Sequence, residues 1–312
     1  MERISTSSAY SSVLNNLLAA ENRQTTISSQ ISSEQVSTDL QGYATKAETL
    51  TALQSVQSQV TGYLSNSQTT AAELSTQDTA LNQLSTAATD ASKAVTSALA
   101  AGDGITLIQS LQAAFQNAVQ GLNTNFNGNF VFAGGNSGVA PTTAATLSDL
   151  TAAPSIASLF TDNQHVTTTQ ITSTTSVQTG FLASNLGTPL FTALKAIEAY
   201  NQGPSGPLTG TLTQAQQTFL QGQIAGLNGA ATGLTTAVSQ NGEAQAQVTS
   251  AQASLTAQQS SLSGLIGDIT NVNLAQASSD LSQAQLAVQA SSRVFEALQS
   301  TSLLSILTAS GH

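Results

Sequence analysis

The sequence predicts a mainly α protein: an elongated, nested helical hairpin or coiled-coil bundle with a small β-rich inserted domain. Three observations predict it. Apolar or small residues recur at alternating three- and four-residue spacing through long stretches near both ends of the 312-residue chain. A central stretch is instead dense in Thr and other β-branched residues, which favour strands over long helices. Gly and Pro gather at a few points between these stretches and read as turns.

Residues 4 to 35 read as one amphipathic helix, with Ser5, Thr6, Ser7 and Ser8 offering capping oxygens. Its seam is Val13, Leu17, Ala20, Gln24, Ile27 and Ile31. Ser37 to Tyr43 carries turn-forming residues without a period and reads as a loop. From Thr45 to Ala100 a helical pattern resumes through Leu50, Leu53, Val60, Leu64, Ala71, Leu74, Leu81, Leu84, Ala88, Ala91 and Val95. Gln57, Ser67 and Asp78 interrupt that seam, and polar seam positions fix register at some loss of stability.

Ala101-Gly102-Asp103-Gly104 is predicted to turn the chain, with Gly at a helix C-terminus and Asp capping the next start. The next helix is expected through Ile108, Leu111, Phe115, Val119, Leu122 and Phe126. Asn127-Gly128-Asn129 is a hairpin signal, followed by Phe130-Val131-Phe132 as a strand bounded by Gly134-Gly135. Residues 136 to 187 bring Pro141, Pro154 and the β-branched run from His165 to Phe181, so strands are expected there. A short helix from Thr188 to Asn201 precedes the Gly203-Pro204-Ser205-Gly206-Pro207 loop.

Residues 213 to 266 return to helix on the most regular seam in the chain: Leu227, Ala231, Leu234, Val238, Asn241, Gln245, Val248, Gln252, Leu255, Gln259, Leu262 and Ile266. This helix is expected to lie lengthwise against the 45 to 100 helix, with Asp268 to Asn273 as a break after it. The last helix, Leu274 to Leu307, carries Leu274, Ala277, Leu281, Ala284, Val288, Ser291, Phe295, Leu298 and Ser302 on one side, and its expected mate is the Val13 to Ile31 seam. Three layers follow: residues 1–40 with 270–312, residues 41–135 with 188–269, and the 136–187 insertion.

Composition narrows the function. Only 7% of residues are charged, against about a quarter in an ordinary domain. Repulsion between copies is therefore weak, which favours an assembly protein. The net charge is −10 and no Lys/Arg cluster exists, so neither nucleic acid nor an anionic membrane surface is an expected partner. Met1 to Thr6 lacks the apolar core of a secretory leader, and no apolar run is long enough to span a bilayer. Export without a cleaved signal is the expectation.

No enzymatic chemistry is predicted. His165 and His312 stand alone, there is no Cys, and no metal, cofactor or catalytic set can be assembled from the scattered acids. Gly102-Asp103-Gly104 and Gly134-Gly135 lack the Lys-Ser/Thr of a phosphate loop. A secreted enzyme or sugar-binding module built on the Thr-rich insertion is the reading from another class, and no convergent polar site supports it.

The order of motifs resembles the flagellin family, and within it the hook-associated members. Arg3-Ile4-Ser5-Thr6 and the helix after it resemble the family's opening. Gly128-Asn129-Phe130-Val131-Phe132-Ala133-Gly134-Gly135 is similar to the aromatic strand and glycine turn that close its first helical half. Ala287-Val288-Gln289-Ala290-Ser291-Ser292-Arg293-Val294-Phe295, then Leu298 and Ser302-Leu303-Leu304, look like its terminal helix. Two departures stand out: Ser33-Glu34-Gln35-Val36-Ser37-Thr38-Asp39 replaces a basic residue and a paired-Asp, Pro-containing loop, and Asn271 and Asn273 stand where acids are usual.

The resemblance implies a non-enzymatic, extracellular subunit of the bacterial flagellum, exported by a type III route. It would join hook to filament by self-assembly through its terminal helices, with filament flagellin as the alternative. Implied partners are further copies of itself, a neighbouring hook-associated protein, flagellin, and an export chaperone on the C-terminal helix. The expected assembly residues are Val13, Leu17, Ile27, Ile31, Leu274, Leu281, Val288, Phe295, Leu298, Leu303 and Leu304.

Overall fold

A computed structural model describes the backbone of residues 2–309 and the side chains of Ser8 and residues 10–300. The elements are α1 (Glu2–Ser33), α2 (Ala47–Ala101), α3 (Leu107–Leu122), β1 (Asn125–Phe126), β2 (Asn129–Phe130), α4 (Leu147–Ala152), β3 (Thr168–Gln170), β4 (Ser176–Gln178), α5 (Ala183–Gln202), α6 (Gln214–Thr270) and α7 (Leu274–Ala309). The protein is mainly α, with long helices packed against each other and two small antiparallel hairpins. The chain divides into two compact units, Met1–Ser58 with Gln259–His312, and Gln59–Gln258.

In the unit formed by the two ends of the chain, α1 packs antiparallel along α7. The segments that leave these helices are tied by two backbone hydrogen bonds, Val36 N to Thr270 O at 2.8 Å and Val272 N to Glu34 O at 3.0 Å. Tyr43 donates its hydroxyl to Ser37 O, and Asp39 Oδ1 accepts from Gly42 N at 2.9 Å, so the connection after α1 is a compact turn. A Cβ at Gly42 would fall 2.1 Å from Ser37 Oγ, which is why no larger residue fits there.

The second unit holds the main core. Phe115 of α3 and Phe191 of α5 meet at 5.0 Å, Phe160 stacks on Phe191 at 5.4 Å, and Leu111, Leu122, Phe132, Leu150, Leu190 and Leu194 are fully buried around them. Within this unit α2 and α6 run antiparallel, joined by Asn241 Nδ2 to Leu74 O at 2.9 Å, Ser85 with Thr235 at 3.4 Å, and Ser92 Oγ to Asn228 Oδ1 at 2.7 Å. The polar seam residues Asn241 and Gln245, which both reach Leu74 O, are therefore register contacts. Ser67 is fully buried, and it gives its hydroxyl to Ile171 O on the β3–β4 hairpin at 3.3 Å.

Several boundaries differ from the sequence reading, each for a local reason. Phe126 is not helical: the helix ends at Leu122 because Asn123 exchanges side-chain hydrogen bonds with Thr142 N and O at 3.1 and 2.8 Å, which turns the chain aside. The strands flank Asn127-Gly128, whose φ values of 52° and 84° make the tight turn, so β2 is Asn129–Phe130 and not Phe130 to Phe132. Phe132 instead enters the core. α5 begins at Ala183, before Thr188, because Ala183 N bonds Phe132 O at 2.9 Å and Leu186 and Leu190 face the core; Pro189 is accommodated inside the helix. The break before α7 is only residues 271–273, since α6 continues to Thr270. Residues 136–187 contain the expected strands, paired as β3 and β4, and, besides them, the short helix α4.

Candidate assembly interface

The pairing of α1 with α7 follows from their seams. Ile27, Ala277 and Ala284 are buried in one cluster, with Ile31, Val272 and Leu281 packed against it. Alanine at 277 and 284 lets the two backbones approach, and isoleucine fills the space between them. Further along, Tyr10 meets Phe295 with ring centroids 4.9 Å apart. Val13, Leu17, Val288 and Leu298 are half-buried on the same side as these residues. Leu274 stays 45% exposed at the start of α7. The side chains of Leu303 and Leu304 lie outside the described residues.

The seam is thus occupied within the chain, and other apolar residues remain for a second molecule. Leu286 is 65% exposed and Val294 50% exposed on α7, and Leu18 is 48% exposed on α1. Leu286 follows Ala277 by nine positions, which at 3.6 residues per turn sets it about half a turn away, directly opposite the seam. The register that sets Tyr10 against Phe295 brings Leu18 to about the height of Leu286. These residues were not singled out from the sequence. The available signal was their position off the seam on helices whose seams were already complete.

Charge plays little part in this surface. Among the described residues the one ion pair joins Lys93 to Asp90 at 3.4 Å, and it is exposed and far from the terminal helices in sequence. No described cluster of His, Cys, Asp or Glu could hold a metal ion. His165 is exposed, its N–H bonded to Asn163 Oδ1 at 3.0 Å, while His312 lies outside the described residues. No described helix is long and apolar enough to cross a membrane.

The fold is one of long paired helices, and the terminal pair carries apolar side chains on its outer side. Residues 224–307, which comprise most of α6 and α7, match the bacterial flagellin C-terminal helical region. The chain thus carries a flagellin-like C-terminal helical region. Its fold is shared with a flagellar hook-associated protein of Vibrio parahaemolyticus, at 15% identity and a TM-score of 0.58, over 75% of this chain and 99% of that one. Bacillus cereus FlgL has the same fold, at 14% identity and a TM-score of 0.52, over 70% of this chain and 99% of its own. No curated protein sequence matches this chain.

Proposed function

We propose that this chain is the junction subunit between hook and filament, equivalent to flagellar hook-associated protein 3. The observation that carries the reading is the antiparallel α1–α7 pair, closed internally by Ile27, Ala277 and Ala284 and carrying exposed Leu18, Leu286 and Val294. Burying the exposed half or so of each such side chain in a neighbour contributes about 1 kcal/mol or slightly more. A ring of subunits joined in this way is stabilised mainly by apolar contact, which a chain with 7% charged residues can accept. The hook-associated identity of the two structures of similar fold supports a junction role over a filament role.

In this reading the subunit is exported unfolded without a cleaved signal, with a chaperone covering α7, and acts outside the cell. It then contacts copies of itself, another hook-associated protein and flagellin. The terminal layer of residues 1–40 and 270–312 serves assembly, residues 41–135 with 188–269 form the inner bundle, and residues 136–187 are carried as an insertion. The assembly layer is assigned to Val13, Leu17, Ile27, Ile31, Leu274, Leu281, Val288, Phe295, Leu298, Leu303 and Leu304, whose seam closes α1 on α7, and to Leu18, Leu286 and Val294, which make the contacts to neighbours.

Deletion of the gene tests the proposal: hooks should remain without filaments, and flagellin should accumulate in the medium. Filaments of normal number and length in the deletion strain would overturn it. A filament subunit is the second reading, favoured by the flagellin match over residues 224–307. Stoichiometry separates the two, since a filament subunit dominates sheared flagellar protein by mass and a junction subunit contributes a few copies per flagellum.

A further inference from the structure

An open groove of about 410 Å³ lies in the second unit, between the middle of α2 and the β1–β2 hairpin. Thr69 and Glu73 of α2 form one side, Phe126 and Phe130 of the hairpin the other, and Asn129 and Thr167 complete its polar edge. Glu73 is the only ionisable side chain in the lining. The described contact to its carboxylate is a long one, from Gln77 Nε2 at 3.5 Å. The single ion pair among the described residues is Lys93–Asp90, so no described cation neutralises Glu73.

A carboxylate withdrawn from water without a countercharge is unfavourable, and burial pushes the Glu73 carboxyl above its usual range. An incoming cation relieves that cost. The two phenyl rings add a preference for ammonium or guanidinium over a neutral or anionic group, because aromatic faces attract cations. The chain holds only 6 basic residues against 16 acidic ones, so the groove is better matched to a cation from outside than to one of its own.

We propose that this groove receives a basic side chain, an arginine or lysine presented by a neighbouring protein subunit, which the Glu73 carboxylate and the Phe126 and Phe130 rings hold together. The source of the cation rests on the assembly reading, whereas the chemistry of the groove does not. The site gives a subunit with very little surface charge one charge-selective contact, and such contacts set orientation and partner choice.

The test uses the full chain as an isotopically labelled monomer, titrated with acetyl-Gly-Arg-Gly-amide and followed by NMR. Saturable shifts are expected at the amides of Thr69, Glu73, Phe126 and Phe130, together with a fall in the pKa of the Glu73 carboxyl. The same peptide with neutral citrulline in place of arginine should bind about 10-fold more weakly, as expected for a lost charge-assisted hydrogen bond. Glu73→Gln should remove the difference between the two peptides. The citrulline comparison on the unaltered chain decides the matter even if that variant folds poorly. Equal binding of the two peptides, or no saturable shift, overturns the proposal. So does a set of shifts produced by maltose and not by the arginine peptide, which would make the groove a saccharide site. Because the monomer alone is used, any of these failures leaves the assembly reading intact.

Discussion

The rings of Tyr10 and Phe295 meet at 4.9 Å with their planes tilted by 44°, although they stand near opposite ends of the chain. This contact and the Val36–Thr270 backbone bond mark two separated levels of one antiparallel helix pair. A tilted aromatic pair contributes about 0.5–1.5 kcal/mol beyond its area. Phe295→Ala should therefore destabilise α1 and α7 and leave residues 59–258 unaffected. Amide hydrogen exchange checks this: faster exchange confined to α1 and α7 is expected.

Among the described side chains of α1, Ile27 is the most buried apolar one, at 7% exposure, and it packs with Ala277 and Ala284. Ile27→Ala should cost the helix pair about 2–3 kcal/mol, through lost transfer energy and the cavity left behind. Leu286→Ala, on the opposite side, should change monomer stability by less than about 0.5 kcal/mol. Assembly should respond in the reverse order, with Leu286→Asp abolishing polymer formation by a monomer of normal circular dichroism.

Asn241 is fully buried, gives Nδ2 to Leu74 O at 2.9 Å and leaves Oδ1 without a partner. Gln245 Nε2 also reaches Leu74 O at 3.3 Å, so Asn241→Leu does not orphan that carbonyl. The substitution should raise the unfolding midpoint while loosening the α2–α6 register, the usual exchange when a polar seam residue is removed. Cysteines at Ser85 and Thr235, whose hydroxyls lie 3.4 Å apart, would report the register as a slower disulfide yield in the Asn241→Leu background.

Asp149 caps α4, its Oδ2 accepting from Ala145 N and Thr146 N, both at 2.8 Å. These backbone bonds, from Ala145 first and Thr146 second, hold its pKa below the usual carboxylate range. The folded value is depressed, so its stabilisation is complete above the unfolded value near about pH 3.9 and is lost as pH falls through the lower folded value. Asp149→Asn should weaken the protein by about 0.5 kcal/mol at neutral pH, small because the group is solvent-exposed. It should also flatten the acid limb of the stability profile below the unfolded carboxylate value, measured by denaturant unfolding.

Glu73 works in the opposite sense. Burial raises its folded pKa, so protonation favours the folded state and stability declines as pH rises from the unfolded value through the folded one. Glu73→Gln should accordingly stabilise the free monomer at neutral pH, read as a higher unfolding midpoint with a smaller decline as pH rises through that window.

The long helices were legible because their seams are local: Val13, Leu17, Ile27 and Ile31 alternate correctly, and every one of them is at least half-buried. The antiparallel pairing of α1 with α7 was legible for the same reason, since two complementary seams at the chain ends have few other partners. The placement of Gln77 was not. Its burial depends on reaching Thr179 O at 2.8 Å, on a hairpin whose position nothing near Gln77 encodes. The end of α3 was hidden similarly, because Asn123 is turned out of the helix by Thr142. α4 carried a readable signal, Thr146 followed three residues later by Asp149, inside a Thr-rich stretch that favoured strands. The outward residues Leu18, Leu286 and Val294 break no pattern, and their exposure emerges only once the seams are seen to close on each other.

Location on the intact flagellum tests the central claim most directly. Antibody raised against residues 136–187, with gold labelling viewed by electron microscopy, should mark a single narrow band where hook meets filament. Label distributed along the whole filament would contradict a junction subunit, and label absent from flagella of antibody-accessible cells would contradict a flagellar role altogether.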